Sequence, residues 1–492
     1  MNKNNSLKQN FFYNLISQVL TLIVPIITTP YLARILQEKG NGQYSYTFSI
    51  ITYFILFANL GFSVYGQREL SKYRDDLTLQ KTSFFEIFFL RLIFTVISLA
   101  ILFLLSFFIG FGSNYDLLIR IESLNVIAVI FDFTFFYQGN EDFKSIAFKN
   151  ILVKTITIIC VFLFVKEQSD VWAYALIIGL NTLFTNIIMI PRIIRFYHKI
   201  PICHLSIIRH LKPAILIFLP TLAVTIYSVF DKTMIGLLAL NPDYENGCYE
   251  QAYKINSLIL TLVVVISPIY IPRNAYDYST GNFDALKNHM YFAANYVWFI
   301  SVPLVVGMVL LSSNLCSWFL GEGYNEVPLL LKIMSLRFIV SGFGTLFGDM
   351  YFIPIGKEKY PTVATFFAAG LNVVLNYFLI QKMGATGAAI TTAVSEFAVT
   401  MILAFLIFKE HRLSIKKILF ISWKYFFAAI VMAVPVYFLN KYMPFSALSF
   451  FIAVFVGGIS YITFLLLIHD QFVLSIIKQA FVFIKQLRKE EN

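Results

Sequence analysis

The sequence predicts an all-α integral membrane protein of fourteen transmembrane helices, arranged as two parallel-related six-helix lobes plus two C-terminal helices. Three observations predict this: a charge-poor composition, a succession of long apolar runs, and an internal repeat. Of 492 residues, 58% are hydrophobic, 17% aromatic and only 13% charged, where a soluble domain carries about 25% charged residues. Water-soluble chains of this length split into domains with polar surfaces. A soluble enzyme, a disordered chain and a nucleic-acid-binding protein are therefore excluded.

A helix needs about 20 apolar residues to cross roughly 30 Å of hydrocarbon. The first seven runs that meet this lie near 11–36, 43–65, 84–110, 117–138, 146–165, 171–193 and 213–239. The second seven lie near 249–272, 290–312, 327–353, 360–380, 384–408, 418–440 and 446–468. Runs such as Ile93 to Phe111 are continuously apolar, whereas a membrane β-barrel alternates apolar and polar residues. The first run is too long for a signal peptide and lacks a small-residue cleavage site, so it reads as an uncleaved span.

The net charge of +11 is a matter of topology. With fourteen spans both termini share one side, and that side holds 25 of the 38 Lys and Arg, including Arg68 to Lys81, Arg192 to Lys212 and the tail with Lys478, Lys485, Arg488 and Lys489. The opposite side holds five: Arg34, Lys39, Lys166, Lys382 and Lys441. The positive-inside rule places both termini in the cytoplasm.

Shifting the chain by 205 residues lays Asn41, Gly42 and Tyr44 on Asn246, Gly247 and Tyr249, Ile50 on Ile255, Tyr65 on Tyr270 and Arg68 on Arg273. Repeats of six spans are parallel, a plan used by alternating-access transporters. The predicted organisation is an N-lobe of helices 1–6 (1–200), a C-lobe of helices 7–12 (201–412), and helices 13–14 with a basic cytoplasmic tail (413–492).

Eight bases remain within spans: Arg91, Arg120, Lys154, Lys232, Lys254, Lys332, Arg337 and Lys424. Each costs about 2.5–3.5 kcal/mol at the bilayer centre, so most must face water or protein. Arg91, Arg120 and Lys424 lie near span ends, where snorkelling is an alternative. Lys232 either pairs with the adjacent Asp231 or lines a cavity with Lys154, Lys254 and Arg337. Glu396, with no local partner, either pairs across helices or titrates. Embedded cations suit an anionic, phosphate-bearing substrate. Arg68 and Arg273, at matched inner ends of helices 2 and 8, either anchor the topology or capture an anion at an inner gate.

The remaining patterns point to no chemistry. The four cysteines, Cys160, Cys203, Cys248 and Cys316, and the six histidines show no metal-ligand or redox spacing. There is no P-loop or Ser-nucleophile motif. The outer loops are too short for a folded acceptor site, which argues against a membrane polymerase or glycosyltransferase. Pro25 and Pro30 mark a bending point in span 1, and Gly344 and Gly348 a close helix contact.

Five segments resemble one family. YLARILQEKGNGQYSY (Tyr31 to Tyr46), LGFSVYGQREL (Leu60 to Leu70), DKTMIGLLALNPDYENGCYEQAYKI (Asp231 to Ile255), FLGEGYNE (Phe319 to Glu326) and NVVLNYFLIQKMGATGAAITTAVSE (Asn372 to Glu396) are similar to Wzx-type polysaccharide and O-antigen flippases. That family belongs to the superfamily that also holds multidrug exporters and lipid II flippases. The chain departs from the lipid II branch in having no arginine between Gln9 and Ala33, and Cys248 replaces the first Tyr of the usual GYY.

The resemblance implies a non-enzymatic flippase of the bacterial cytoplasmic membrane with a V-shaped pair of lobes around a cationic cavity. Its implied partners are a polyprenyl-diphosphate-linked oligosaccharide, membrane lipid and polysaccharide polymerase machinery, with no nucleic acid and no cofactor beyond a coupled proton or sodium ion. Lys154, Lys232, Lys254, Arg337 and Arg34 are the expected substrate-binding residues, Arg68 and Arg273 the inner gate, and Asp231 and Glu396 the ion-coupling acids. A cation-coupled multidrug antiporter is the alternative within the superfamily.

Overall fold

The computed structural model describes residues 3–108, 110, 113–198, 201, 204–410 and 413–478. Cys203 and the tail bases Lys485, Arg488 and Lys489 lie outside the described residues. The described residues form helices and no strands, and ten helical stretches are long and apolar enough to cross a membrane.

The chain divides into two compact units, Met1–Glu250 and Gln251–Asn492. The first holds α1 (Lys3–Asn59), α2 (Phe62–Lys72), α3 (Leu77–Phe108), α4 (Ser113–Ile130), α5 (Thr134–Gly139), α6 (Phe143–Phe164), α7 (Val171–Ile187), α8 (Ile190–Tyr197), α9 (Leu211–Leu238) and the start of α10 (Pro242–Val264). The second holds the rest of α10, α11 (Ser267–Ser279), α12 (Phe283–Phe319), α13 (Val327–Ser335), α14 (Arg337–Phe347), α15 (Lys359–Glu410), α16 (Ile415–Phe420), α17 (Trp423–Tyr442) and α18 (Ala447–Leu467).

Two helices exceed any bilayer. At 1.5 Å per residue, α1 with 57 residues and α15 with 52 would run about 85 and 78 Å. Each is two arms joined at one residue with positive φ, Gln37 (φ 56°) in α1 and Gly384 (φ 53°) in α15. Side chains close both reversals. The Asn41 amide donates to the Leu32 and Gln37 carbonyls at 3.0 and 2.8 Å. In α15 the Thr391 hydroxyl donates to Asn376 across the bend, and the Asn376 amide donates to Asn372 at 3.0 Å.

Backbone carbonyls freed by helix breaks have no water to turn to in lipid, so buried side chains must satisfy them. The α13–α14 break is tied by Asn256, whose amide donates to the Met334 carbonyl at 2.9 Å. A single π turn follows α14 at Gly348–Phe352, and the Asn274 amide donates to its Met350 carbonyl at 2.7 Å. The gap between α4 and α5 at 131–133 is filled by Arg91, which donates to the Asp132 carbonyl, to Asn59 at 3.2 Å and to Ser63 at 3.0 Å, beneath the Phe135 ring. Arg91 thus does not snorkel; it is fully buried and holds a broken span together. Elsewhere the outward faces are apolar: Leu104, Phe107 and Phe108 on α3 and Leu448, Phe451 and Phe455 on α18 are all exposed, a surface made for lipid rather than water.

Candidate functional site

A polar buried region of the first unit is a seam where the second arm of α1 meets α4, α9 and the start of α10. Two glycines make the approach possible. A Cβ placed on Gly42 would lie 1.7 Å from the Asp243 carbonyl oxygen, and one on Gly247 would lie 1.9 Å from the Glu38 carbonyl oxygen. The offset of 205 that aligns Gly42 with Gly247 also aligns Glu38 with Asp243, so the two contacts are equivalents under the repeat. Between them Ser45 donates to Glu250 at 3.2 Å, and these two residues are themselves repeat partners. A third glycine, Gly236 of α9, lets the Tyr46 ring lie against backbone.

Hydrogen bonds fasten the seam along its length. Asp243 accepts from Gln43 at 2.9 Å and from Tyr115 at 2.6 Å. Thr233 bonds to Ser49 at 2.8 Å and to Tyr53 at 2.9 Å. Asn246, the repeat partner of Asn41, donates to the Lys232 carbonyl at 2.8 Å. Lys232 forms a half-buried ion pair with Glu250 on the next helix. Asp231 is buried and accepts from the Tyr249 hydroxyl at 2.5 Å. Thr47 donates to the buried Glu122 at 3.0 Å.

In the second unit the corresponding polar centre is built on the α13–α14 break. Arg337 grips one Glu396 oxygen with Nε and a terminal nitrogen at 3.0 and 2.7 Å and donates to Asn256 at 3.1 Å, with the Tyr253 ring over its guanidinium. Ser341 donates to the other Glu396 oxygen. Glu396 thus has a partner on another helix.

A third cluster joins α3 to the 3-10 turn Ile207–His210 that precedes α9. Glu86 accepts from His210 at 2.6 Å, from Arg209 at 2.5 and 3.0 Å and from the Ser206 backbone, while Tyr65 bonds to His210 at 2.7 Å. Burial works against the charge on Arg209, yet the Glu86 carboxylate outweighs it and holds the guanidinium above its ordinary value.

The remaining expected site residues lie on five different helices. Lys154 on α6 and Lys254 on α10 are half-buried; Arg34 on the first arm of α1, Arg68 on α2 and Arg273 on α11 are exposed. The expected list omits Glu38, Asp243, Ser45, Glu250 and Glu122. The first four were accessible in principle, because the repeat offset that matched Asn41–Gly42 also pairs them. Glu122 has no acidic repeat partner and is marked only as an acid within an apolar run.

Comparison with known proteins follows the same lines. The sequence pattern of the family described as "Polysaccharide biosynthesis protein" matches residues 7–274. The chain is 22% identical over 409 residues to a protein of Escherichia coli (strain K12) named "Putative O-antigen transporter", covering 82% of this chain and 97% of the relative. It is 26% identical over 199 residues to the lipid II flippase MurJ of Bacillus subtilis (strain 168), covering 39% of this chain and 36% of that protein. A solved structure of lipid II flippase MurJ in an inward closed conformation shares the fold, with a TM-score of 0.70 and 19% identity over 94% of this chain and 99% of that one. With a match spanning more than half its length, the chain belongs to the polysaccharide biosynthesis protein family.

Proposed function

We propose that this protein is a flippase that moves a polyprenyl-diphosphate-linked oligosaccharide from the inner to the outer leaflet of a bacterial cytoplasmic membrane, for export of cell-surface polysaccharide. The observation that carries the reading is membership of the polysaccharide biosynthesis family by a chain built from lipid-facing helices. Relatives named for transporting O-antigen and flipping lipid II support translocation rather than sugar transfer. The fourteen-span count, lobes at 1–200 and 201–412 with helices 13–14 beyond, and cytoplasmic termini belong to the proposal. The basic-residue partition supports that orientation, which puts the α1–α10 seam at the outer face.

On this reading the seam is the outer closure of an alternating-access cycle. Lys154 and Lys254 meet the diphosphate, and Arg34 meets it near the outer mouth. Lys232 and Arg337 do so only when Glu250 and Glu396 move off them. Arg68 and Arg273 receive the substrate from the inner leaflet, and Asp231 and Glu396 are the acids through which an ion acts. The test is a leaflet-accessibility assay for lipid-linked repeat units in cells depleted of the protein. Accumulation on the inner leaflet is expected; normal arrival at the outer leaflet overturns the reading.

A further inference from the structure

The seam contains a buried acid that nothing above uses. Glu122 of α4 is 0% exposed. One carboxyl oxygen accepts from Thr47; the other has no hydrogen-bond partner among the described residues. No described base forms an ion pair with it.

Among the described residues no cation is bonded to Glu122. From α1 it meets Thr47 and lies near Tyr44, which also lies near Glu250. From α10 comes Glu250, whose own charge is taken up by Lys232 of α9. From α7 the one titratable group is Tyr174, its ring tilted against that of Tyr44 with centroids 4.6 Å apart. The whole of α7, and α3 beyond Arg91, contain no charged residue, and Arg91 is engaged at the α4–α5 break. On α4 itself the bases reduce to Arg120, which is exposed.

An ionised carboxylate enclosed in protein without a cation costs many kcal/mol, and such a group neutralises instead. A water on the free oxygen would supply a hydrogen bond but not the missing charge. We propose that Glu122 is a proton-binding site whose occupancy is coupled to opening of the seam between α1 and α9–α10. In the closed seam the carboxyl O–H is intact. When α1 parts from α10, water reaches Glu122 through Thr47, the O–H bond breaks, its electron pair stays on the carboxylate and the proton passes to water. Closing the seam requires a proton to be taken up again.

The linkage is quantitative. One proton bound only in the closed state makes the closed-to-open ratio fall about tenfold per pH unit across the linked range, since one unit is 1.36 kcal/mol per proton. Raising the pH therefore favours opening. Coupling of this proton to cargo rests on the flippase reading; the proton site itself does not.

The experiment uses the full chain in lipid nanodiscs, free of native cysteines, with fluorophores at Lys39→Cys and Asn241→Cys, exposed positions flanking the seam. Seam distance is followed across pH, and infrared spectra report protonated carboxyl groups by their shift in heavy water. The expected result is a tenfold-per-unit opening slope that disappears in Glu122→Gln, together with loss of one protonated-carboxyl band. Glu122→Asp keeps the acid one methylene shorter, and it shifts the band and retains the slope if the amide variant does not fold. An unchanged slope in Glu122→Gln, or a carboxyl band indifferent to both substitutions, overturns the proposal. Neither readout uses a lipid-linked substrate, so failure here and failure of the leaflet assay are distinguishable.

Discussion

Replacing Gly42 by alanine places a methyl group where the Asp243 carbonyl oxygen now sits. A carbon–oxygen contact normally stands at about 3.4 Å, and the structure leaves 1.7 Å, so α1 and α10 must part by about 1.7 Å. That displacement stretches the 3.2 Å Ser45–Glu250 bond and the 2.9 Å Gln43–Asp243 bond beyond hydrogen-bond range. Hydrogen bonds to charged groups contribute about 1.5–3 kcal/mol each when fully formed, and overpacking costs about 1–3 kcal/mol. Allowing for water replacing the lost partners, the closed seam loses about 3 kcal/mol, roughly a hundredfold in the closed-to-open ratio. Gly247→Ala makes the equivalent clash with Glu38, and the same separation relieves both. The double variant therefore costs about as much as either single one, a non-additivity expected of coupled neighbours. The labelled pair at positions 39 and 241 reads the ratio, with thermal unfolding as a control for the fold. A closed seam in Gly42→Ala, or fully additive losses in the double variant, refutes the reasoning.

Other substitutions test the remaining clusters. Arg337→Ala or Glu396→Ala alone strands a buried charge and lowers stability by about 3–5 kcal/mol, while replacing both by apolar residues costs less; a double-mutant cycle by thermal unfolding measures the difference. Asn256→Ala leaves the Met334 carbonyl unsatisfied at the α13–α14 break, a loss of about 1–3 kcal/mol read by the same assay. Glu86→Gln removes the charge that Arg209 and His210 share, and hydrogen exchange of residues 206–211 accelerates as the 3-10 turn before α9 loosens from α3. Lys154→Ala combined with Lys254→Ala lowers export of lipid-linked units at normal protein levels; unchanged export removes these lysines from the substrate path.

Much of the fold was legible because lipid imposes simple demands. Continuous apolar runs must be helices when no water is present to pair with backbone, and the reversals at Gln37 and Gly384 fall close to the breaks between the first and second runs and between the eleventh and twelfth. Partner choice was less legible. Lys232 and Asp231 are adjacent in sequence and invite pairing, but successive helical side chains diverge by about 100° and do not face each other. The structure gives Lys232 to Glu250, on the next helix. Arg91 lies near a span end, where snorkelling is the economical expectation; the break at 131–133 turns it inward instead, a tertiary demand that no local pattern announces. Glu122 is legible as an acid within an apolar run, but not as an unpaired one. Its distinguishing property is the absence of a partner, and absence is visible only once every neighbour is in place.

The seam also has the form of a two-fold dimer interface contained in one chain. Residue 42 touches residue 243 as residue 247 touches residue 38, the reciprocal pattern of an isologous contact. In a true homodimer a residue on the axis meets its own copy, so the Ser45–Glu250 position would be either two serines or two carboxylates in mutual repulsion. Covalent fusion of the halves lifts that restriction. The axis then holds an asymmetric pair, a hydroxyl donor against a carboxylate, with Lys232 supplying the counter-charge from one side only.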